Sequence, residues 1–113
     1  MNCLFCKIAE KKIPSKIIYE DEKALAFTDA NPQAPIHILI IPRKHISTVL
    51  EAKPEDNELV GHLFQLANKI AGDKSVAERG FRLVMNCNRE AGQTVYHMHL
   101  HLLAGRPMHW PPG

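Results

Sequence analysis

The segment YHMHLHLLAG, residues 96–105, alternates histidine with apolar side chains, and this alternation constrains the fold more than any other feature of the chain. In a β-strand, residues two apart lie on the same face, and each residue advances the chain by about 3.3 Å. The pattern therefore predicts a strand with two unlike faces. One face presents the histidines His97, His99 and His101. The other face packs into the core through Met98, Leu100 and Leu102.

The N-terminal half predicts a short helix followed by three strands. Residues 3–14, CLFCKIAEKKIP, indicate a helix or turn that ends near Pro14. Residues 16–29, KIIYEDEKALAFTD, contain two β-rich runs around the polar EDEK, which indicates a hairpin. Residues 37–42, HILIIP, are nearly all apolar after the histidine, so we expect a strand that is covered on both faces.

The C-terminal half predicts one longer helix and two strands. Pro54 and the two acidic residues after it favour a helix start, and Gly72 is the expected stop. Residues 81–86 and 94–103 indicate strands joined by the loop 87–93. The resulting order favours an α+β fold with an antiparallel or mixed sheet. Between the two helix ends, apolar residues recur at spacings of three and four: Leu59, Leu63, Leu66, Ala67 and Ile70.

The composition argues against several classes of protein. The 113 residues suit one domain spanning 1–113. The 14 basic and 12 acidic residues give a net charge of +2, too balanced for binding nucleic acid or a membrane through a basic field. The longest apolar run, residues 36–42, is far shorter than the roughly 20 residues that span a bilayer. An N-terminus without a signal-peptide pattern and an odd count of three cysteines favour a reduced, cytoplasmic protein.

The row of histidines admits three interpretations. A single histidine on a half-exposed strand is ordinarily a polar surface residue, but strand propensity does not favour three in alternation. Neutral imidazoles can share a zinc ion, and imidazole is also a nucleophile that titrates near neutral pH. The preceding loop and its flanks offer the donors Asn86, Gly92 and Thr94, with Glu90 as the only local acid. Donors without further carboxylates suit an anionic substrate, so phosphate chemistry is favoured over a catalytic metal.

Several segments together resemble the histidine triad family. HMHLHLL matches the His-φ-His-φ-His-φ-φ signature of that family, in which φ is an apolar residue, and the likeness extends over essentially the whole chain. The chain resembles the branch of histidine triad nucleotide-binding proteins that act as purine nucleoside phosphoramidases. The matching segments are CLFCKIAEKKIPSKIIYED, AFTDANPQAPIHILIIPRKHI, GQTVYHMHLHLLAGRP and MHWPPG.

The resemblance implies a fold, an assembly and an activity. The implied fold is α+β, with a five-stranded antiparallel sheet, one long and one short helix, and sheets joined across a homodimer. The implied activity is cleavage of purine nucleoside 5′-phosphoramidates, of the AMP-NH2 or AMP-lysine type, through a covalent nucleotidyl-histidine. Two alternatives stay open: a dinucleoside polyphosphate hydrolase of the same family, and a non-catalytic nucleotide-binding or scaffold protein.

The resemblance also assigns catalytic roles to individual side chains. His99 would attack the α-phosphorus and bind the nucleotidyl group as a phosphohistidine. His101 would lie against the phosphate oxygens, and His37 would complete the array near His99. His97 belongs to the same row, and the proton for a leaving amine would come from Thr94 or from a histidine.

Further residues are implied to bind the nucleotide. They fall into a phosphate or leaving-group set, a ribose set and a base pocket. The base pocket has little polar character, so we expect weak discrimination between purines. The three sets are Asn86, Gly92, Gln93 and Thr94 for the phosphate or leaving group, Asp29 and Ala30 for the ribose, and Phe27, Ile13 and Ile18 for the base.

Cys3 and Cys6 form a C-x-x-C pair, which alone is weak support for a metal site. His45 and His97 would complete a set of two thiolates and two imidazoles, which suits a closed structural zinc. The resemblance implies this zinc, because several bacterial-type relatives bind zinc with the same set, whereas other members lack the cysteine pair. No catalytic metal or organic cofactor is expected, since hydrogen-bond donors can neutralise a single phosphate. The third cysteine, Cys87, is interpreted as a small residue at a strand end.

The C-terminal segment MHWPPG is too rich in proline for a helix or a central strand. In the family, this segment crosses the dimer and borders the partner's active site, which implies a role for Trp110 in leaving-group or acyl selectivity. His109 is expected to be solvated, and His62 to lie on the surface of the longer helix. Three basic residues are weaker candidates for substrate contacts: Arg43, Lys44 and Arg106.

Overall fold

The computed structural model describes residues 2–113 and contains two α-helices and five β-strands in that range. Their order along the chain is the one predicted from the sequence. Two short 3-10 turns, Val49–Glu51 and Pro54–Asp56, precede the longer helix. The elements are α1 (Leu4–Ala9), β1 (Ile17–Glu20), β2 (Ala24–Thr28), β3 (Ile36–Pro42), α2 (Asn57–Asp73), β4 (Arg82–Val84) and β5 (Leu100–Ala104).

The five strands form one antiparallel sheet in the order β1-β2-β3-β5-β4, which confirms the predicted α+β architecture. β1 and β2 form the hairpin expected in residues 16–29. β4 is shorter than the expected strand over residues 81–86. β5 lies between β3 and β4, with His101 opposite Leu39 on one side and Val84 on the other. Residues of β5 are therefore held by strands on both sides.

The longer helix, α2, covers one face of the sheet. The prediction that α2 stops at Gly72 is wrong by one residue, because the helix ends at Asp73. The chain then turns at Ser75, whose φ is 59°. No helix within residues 2–113 has the length and apolar character needed to cross a bilayer. A hydrophobic core lies between α2 and the sheet. The helix residues expected on the apolar face are all buried in this core or packed against it: Leu59, Leu63, Leu66, Ala67 and Ile70.

The shorter helix, α1, covers part of the opposite face and forms a second core. The buried members of this core include Phe5, Ile8, Phe27, Leu39 and Ile41. Because successive residues of a strand alternate in direction, β3 also supplies Ile38 and Ile40 to the core under α2. These contacts confirm that residues 37–42 form a strand covered on both faces.

The histidine segment is a strand only in its second half. β5 begins at Leu100, so the expected strand over residues 94–103 is wrong for residues 94–99. Ahead of β5, the backbone N–H of Met98 donates at 2.6 Å to the carbonyl of Ile46, which lies beyond the end of β3. The alternation of faces nevertheless persists, because Met98, like Leu100, is buried in the core under α2.

The histidine face is covered rather than open to solvent. His97 is fully buried, at 0% exposure, and His99 is 7% exposed. Phe5 of α1 makes edge contacts with both rings, at centroid distances of 6.0 Å and 5.1 Å respectively. The expectation that only one face of this segment is packed is therefore wrong, because α1 packs on the other face. Burial of this kind favours the neutral forms of the imidazoles.

Candidate active site and metal centre

Five histidine rings lie along the face that α1 covers. Ring centroids are 5.2 Å apart for His37 and His101, and 5.0 Å apart for His101 and His99. At the other end of the row, His97 and His45 are 5.0 Å apart. The direct ring partner of His37 is His101, which in turn lies beside His99. This partnership arises because β3 and β5 are adjacent strands.

The hydrogen bond of His99 determines which of its ring nitrogens is unprotonated. Its Nδ1 lies 2.7 Å from the carbonyl oxygen of His97, which can only accept a hydrogen bond. Nδ1 therefore bears the proton, and Nε2 keeps a lone pair. Burial lowers the pKa of His99 below its ordinary value, an effect that the bond to His97 and the charge of Asp29 partly offset. A neutral imidazole of this tautomer is a nucleophile at neutral pH.

A chain of hydrogen bonds determines the tautomer of His101 in the same way. The backbone N–H of Gln33 donates to Nδ1 of His37 at 3.0 Å, so the proton of neutral His37 is on Nε2. That Nε2–H donates to Nδ1 of His101 at 2.9 Å, and Asp29 Oδ2 lies 3.4 Å from the same Nε2. The proton of neutral His101 is therefore on its own Nε2, from which it can be donated to a bound anion.

Acid is expected to destabilise the fold through His101. Burial first, and then His99 and His37, lowers the pKa of His101 from 6.5 to about 4. The unfolded chain therefore binds this proton first, so the stabilisation is complete above pH 6.5 and is lost as the pH falls toward 4. The loss is up to about 3 kcal/mol, reduced by the partial contact of the ring with solvent.

Urea unfolding at a series of pH values between 7.5 and 4.5 measures this effect. In a His101→Gln variant, the dependence of the free energy of unfolding on pH is expected to be shallower, because the glutamine does not titrate. The matched control is His62→Gln, which removes a histidine on α2 that is bonded to Asp21 at 2.7 Å. Equal pH dependence in wild type and His101→Gln would contradict the assignment.

A cavity of about 370 Å³ opens beside His99 and His101. The part lined by α1, Phe27 and Leu39 is apolar, and the imidazoles lie at its polar part. A recess of this composition suits a flat, apolar ring joined to an anionic group. Besides these two histidines, five of the residues expected to bind a nucleotide are brought together in its lining: Ile13, Phe27, Asp29, Ala30 and Thr94.

Sequence reasoning missed three lining residues of α1, Leu4, Phe5 and Ile8. Residues three and four apart share one face of a helix, so their spacing was the available signal. Ile18 was expected in this pocket, but it packs against the core on the α2 side of the sheet. Its neighbour Ile17 packs on the α1 side, because adjacent residues of a strand point to opposite faces.

The loop before the histidine segment is stabilised by Gln93 rather than by contacts to the cavity. Gln93 was expected to hold phosphate, but its side chain is buried and hydrogen-bonded to the backbone. Gly92 has a φ of 90°, which glycine adopts without strain, and neither Gly92 nor Asn86 lines the cavity. The backbone partners of the Gln93 amide are the N–H of Asn88 and the carbonyls of Ser47 and Val95.

A second cluster contains the four residues expected to bind a metal: Cys3, Cys6, His45 and His97. Their ligand atoms all lie within 4.8 Å of one another. Nδ1 of His97 is 3.4 Å from Sγ of Cys3 and 3.6 Å from Sγ of Cys6. Nδ1 of His45 is 3.5 Å from Sγ of Cys6. The sequence prediction of which residues meet here agrees with these positions.

The geometry of this cluster fits a tetrahedral metal ion. With bonds of about 2.3 Å to sulfur and about 2.0 Å to nitrogen, the sulfur–nitrogen edge of such a site is about 3.6 Å, close to the three separations above. Nε2–H of His97 donates to the Pro42 carbonyl at 2.7 Å, which leaves the Nδ1 lone pair for a metal. Burial, and then Cys3, raises the pKa of the Cys6 thiol to about 11, a shift that a bound cation would reverse.

Asp29, His37 and His101 also lie close enough together to be considered as metal ligands. Their hydrogen bonds do not fit that role. Nδ1 of His37 accepts from Gln33, so Nε2 of neutral His37 is protonated and has no lone pair for a metal. The group is better described as a hydrogen-bonded relay that orients His101.

Other residues considered from the sequence lie outside the cavity lining. Trp110 is 82% exposed in the single chain. His62 is bonded to Asp21 and does not approach the histidine row. The three basic candidates bond to other parts of the chain: Arg43 to the carbonyls of Asp21 and Ala9, Lys44 to Asp56, and Arg106 to the carbonyl of Gln33.

Comparison with known proteins identifies relatives over nearly the full length. A family model described as the HIT domain matches residues 10–108. A HIT-like protein of Synechocystis sp. is 51% identical over 112 residues, covering 99% of this chain and 97% of the relative. The crystal structure of a HIT family hydrolase from Legionella pneumophila Philadelphia 1 has a TM-score of 0.98 at 53% identity, covering 99% of this chain and 100% of that one. A histidine triad nucleotide-binding protein from Candida albicans has a TM-score of 0.84 at 29% identity, covering 97% and 83%.

Proposed function

The chain belongs to the HIT family, and on that premise we propose that it is a nucleotidyl hydrolase or transferase that cleaves purine nucleoside 5′-phosphoramidates. The reaction breaks the P–N bond and passes through a covalent nucleotidyl group on His99. The main support is the tautomer of His99. Its Nδ1–H bonds to the His97 carbonyl, so the unprotonated Nε2 belongs to a side chain that lines the cavity.

The names of two relatives agree with this proposal at a general level. The Legionella protein is described as a hydrolase, and the Candida protein as nucleotide-binding. We propose both properties, hydrolysis and nucleotide binding, for the present chain. The choice of a phosphoramidate rests on the resemblance to the phosphoramidase branch.

The proposed mechanism uses the hydrogen bonds that orient His99 and His101. Nε2 of His99 attacks phosphorus, the P–N bond breaks, and the leaving amine takes a proton from Thr94 or a histidine. Nε2–H of His101 donates to a phosphate oxygen and stabilises its charge. Water then attacks phosphorus, the bond to His99 breaks, and a proton from water restores the donor. The products are a nucleoside monophosphate and an amine.

The remaining cavity residues bind the nucleoside in this proposal. The carboxylate of Asp29 accepts hydrogen bonds from the ribose hydroxyls, next to Ala30. The base lies in the apolar part, between α1 and the side chains of Ile13 and Phe27. This lining has few polar groups to distinguish adenine from guanine, so the proposed selectivity between purines is weak.

We assign a structural zinc ion to the cluster of Cys3, Cys6, His45 and His97. Two thiolates and two imidazoles form the donor set that zinc prefers in closed sites. The protein supplies all four ligands, so the proposed role is to hold α1 against residues 45 and 97. Reduced cysteines are needed for this site, which agrees with a cytoplasmic location.

The proposed assembly is a homodimer in which the two sheets join. β4 lies at one edge of the sheet, where a second copy can add its own strand. The exposed ring of Trp110 would then border the active site of the partner and contact the leaving group.

Turnover measured on three ligands tests the proposed reaction. The expected result is that kcat/KM for adenosine 5′-phosphoramidate exceeds that for diadenosine tri- and tetraphosphate by about 100-fold or more. Preference for the diadenosine compounds would replace the proposal with a dinucleoside polyphosphate hydrolase. Binding of AMP without turnover of any of these compounds would indicate a nucleotide-binding scaffold instead.

A further inference from the structure

The two proposed sites share the first turn of α1. Cys3 and Cys6 belong to the metal centre. The two residues between them in the sequence, Leu4 and Phe5, line the nucleotide cavity. The backbone N–H of Cys6 also donates to Sγ of Cys3 at 3.4 Å, so Cys3 caps the helix. One short segment therefore contributes alternately to a metal cluster and to a cavity wall.

Phe5 contacts a member of each part of the site. It is 4% exposed, and its ring packs edge-on against His97 of the metal centre and His99, the proposed nucleophile. Its third aromatic neighbour is Phe27 in the base pocket, at a centroid distance of 5.3 Å. A displacement of Phe5 would change the surroundings of all three rings, since buried aromatic rings are closely packed.

His97 provides a second connection between the two sites. Its Nδ1 faces the two thiols, while its backbone carbonyl accepts the Nδ1–H of His99 at 2.7 Å. A metal bound to the ring therefore restrains the same residue whose carbonyl orients the nucleophile. The connection consists of one residue and one hydrogen bond.

We propose that metal binding and nucleotide binding are thermodynamically coupled in this protein, with Phe5 as the positioning residue between them. The coupling rests on the proposed function and on the metal assignment above. α1 has six residues, too few to be a stable helix by itself, so its position depends on tertiary contacts and on the metal cluster. With the metal bound, the apolar wall that receives the base is already in place.

The coupling has the same size in both directions, because linkage of two equilibria is reciprocal. Removal of the metal is expected to raise the dissociation constant for AMP by about fivefold or more. Saturating AMP is expected to lower the dissociation constant for zinc by the same factor. Phe5→Leu is expected to bring both factors close to one while the chain still binds about one zinc ion.

The decisive experiment follows zinc transfer from the loaded protein to a chromogenic chelator, with and without saturating AMP. Calorimetric titration of AMP into loaded and metal-stripped protein measures the reciprocal effect. If Phe5 were merely structural, Phe5→Leu would change the affinity for zinc or for AMP, but the factor by which each ligand changes the dissociation constant of the other would stay as in wild type. Phe81→Leu is the matched control, because Phe81 packs against the core on the α2 side. This variant is expected to keep the wild-type factor by which each ligand changes the dissociation constant of the other.

The possible outcomes distinguish a failure of the coupling from a failure of the proposed function. Zinc and AMP that both bind, each with an affinity independent of the other, would overturn the coupling and leave the proposed function standing. If Phe5→Leu kept the wild-type factor by which AMP changes the dissociation constant for zinc, the role of Phe5 would be overturned. Failure of the loaded protein to bind AMP would overturn the proposed function together with the coupling. If stripped protein unfolds, the equilibrium extent of zinc transfer with and without AMP decides alone, since that measurement starts from the loaded form.

Discussion

Replacement of His99 by alanine is expected to lower kcat/KM for adenosine 5′-phosphoramidate by about 10⁴-fold or more. The substitution removes the Nε2 lone pair, so the bond to phosphorus cannot form and the covalent route is lost. Nucleotide binding is expected to change far less, because the apolar lining and Asp29 remain. Turnover by liquid chromatography and AMP binding by calorimetry, on the same protein preparation, measure the two effects.

The control for this prediction is a histidine outside the row. His62→Gln on α2 is expected to retain turnover close to wild type, since its ring is bonded to Asp21 away from the cavity. Near-ultraviolet circular dichroism checks the fold of both variants. A His99→Ala protein with wild-type turnover would show that another group is the nucleophile.

The second large effect is expected for the cysteine ligands. The double variant Cys3→Ser, Cys6→Ser is expected to lose its zinc and to melt at a temperature lower by roughly 10 °C or more. Free energy of metal binding stabilises the folded chain, because the unfolded chain does not present the four ligands together. The loss also frees α1 from its attachment near His45 and His97. Metal analysis and differential scanning calorimetry of tag-free protein are the measurements.

The third cysteine supplies the matched control. Cys87 is half-buried and lies outside the metal cluster, so Cys87→Ser is expected to keep about one zinc ion per chain and a melting temperature within a few degrees of wild type. Wild-type protein that contains no zinc, or a double variant that retains it, would refute the structural metal.

Two adjacent histidines of the row differ because opposite ring nitrogens are bonded to carbonyls. His97 donates through Nε2 to Pro42, which leaves Nδ1 for the thiol cluster. His99 donates through Nδ1 to His97, which leaves Nε2 for chemistry. Both rings have a pKa lowered chiefly by burial, so both stay neutral at physiological pH. The same residue type thus suits a ligand and a nucleophile, and the backbone partner decides which.

Much of the fold was predictable because its signals are local. The alternation in residues 97–102 placed Met98, Leu100 and Leu102 in the core, where the structure also places them. The spacing of apolar residues predicted α2, and residues 3–14 indicated the short helix or turn that α1 occupies in part. The candidate metal residues were named through the family resemblance, because a C-x-x-C pair alone is weak support for a metal site, whereas two thiolates with two imidazoles suit a closed zinc.

Other features depend on partners that are distant along the chain. Ile18 was assigned to the pocket because its apolar character is visible in sequence, but the face it occupies depends on the pairing of β1 with β2. The strand over residues 94–99 was predicted from alternation alone. There the amide of Met98 bonds to Ile46 instead, a contact that no local pattern encodes.

By itself, the sequence determined the kinds of element, their order, the two-faced histidine segment and the identity of the residues able to do chemistry. Only the tertiary structure decided that α1 covers the histidines, and that Pro42 and Gln33 set the tautomers of His97 and of the His37–His101 pair. The physical reason is the range of the interactions. Side-chain spacing along a strand or helix is written in neighbouring residues, whereas burial and the hydrogen bonds of an imidazole depend on groups that only folding brings within about 3 Å.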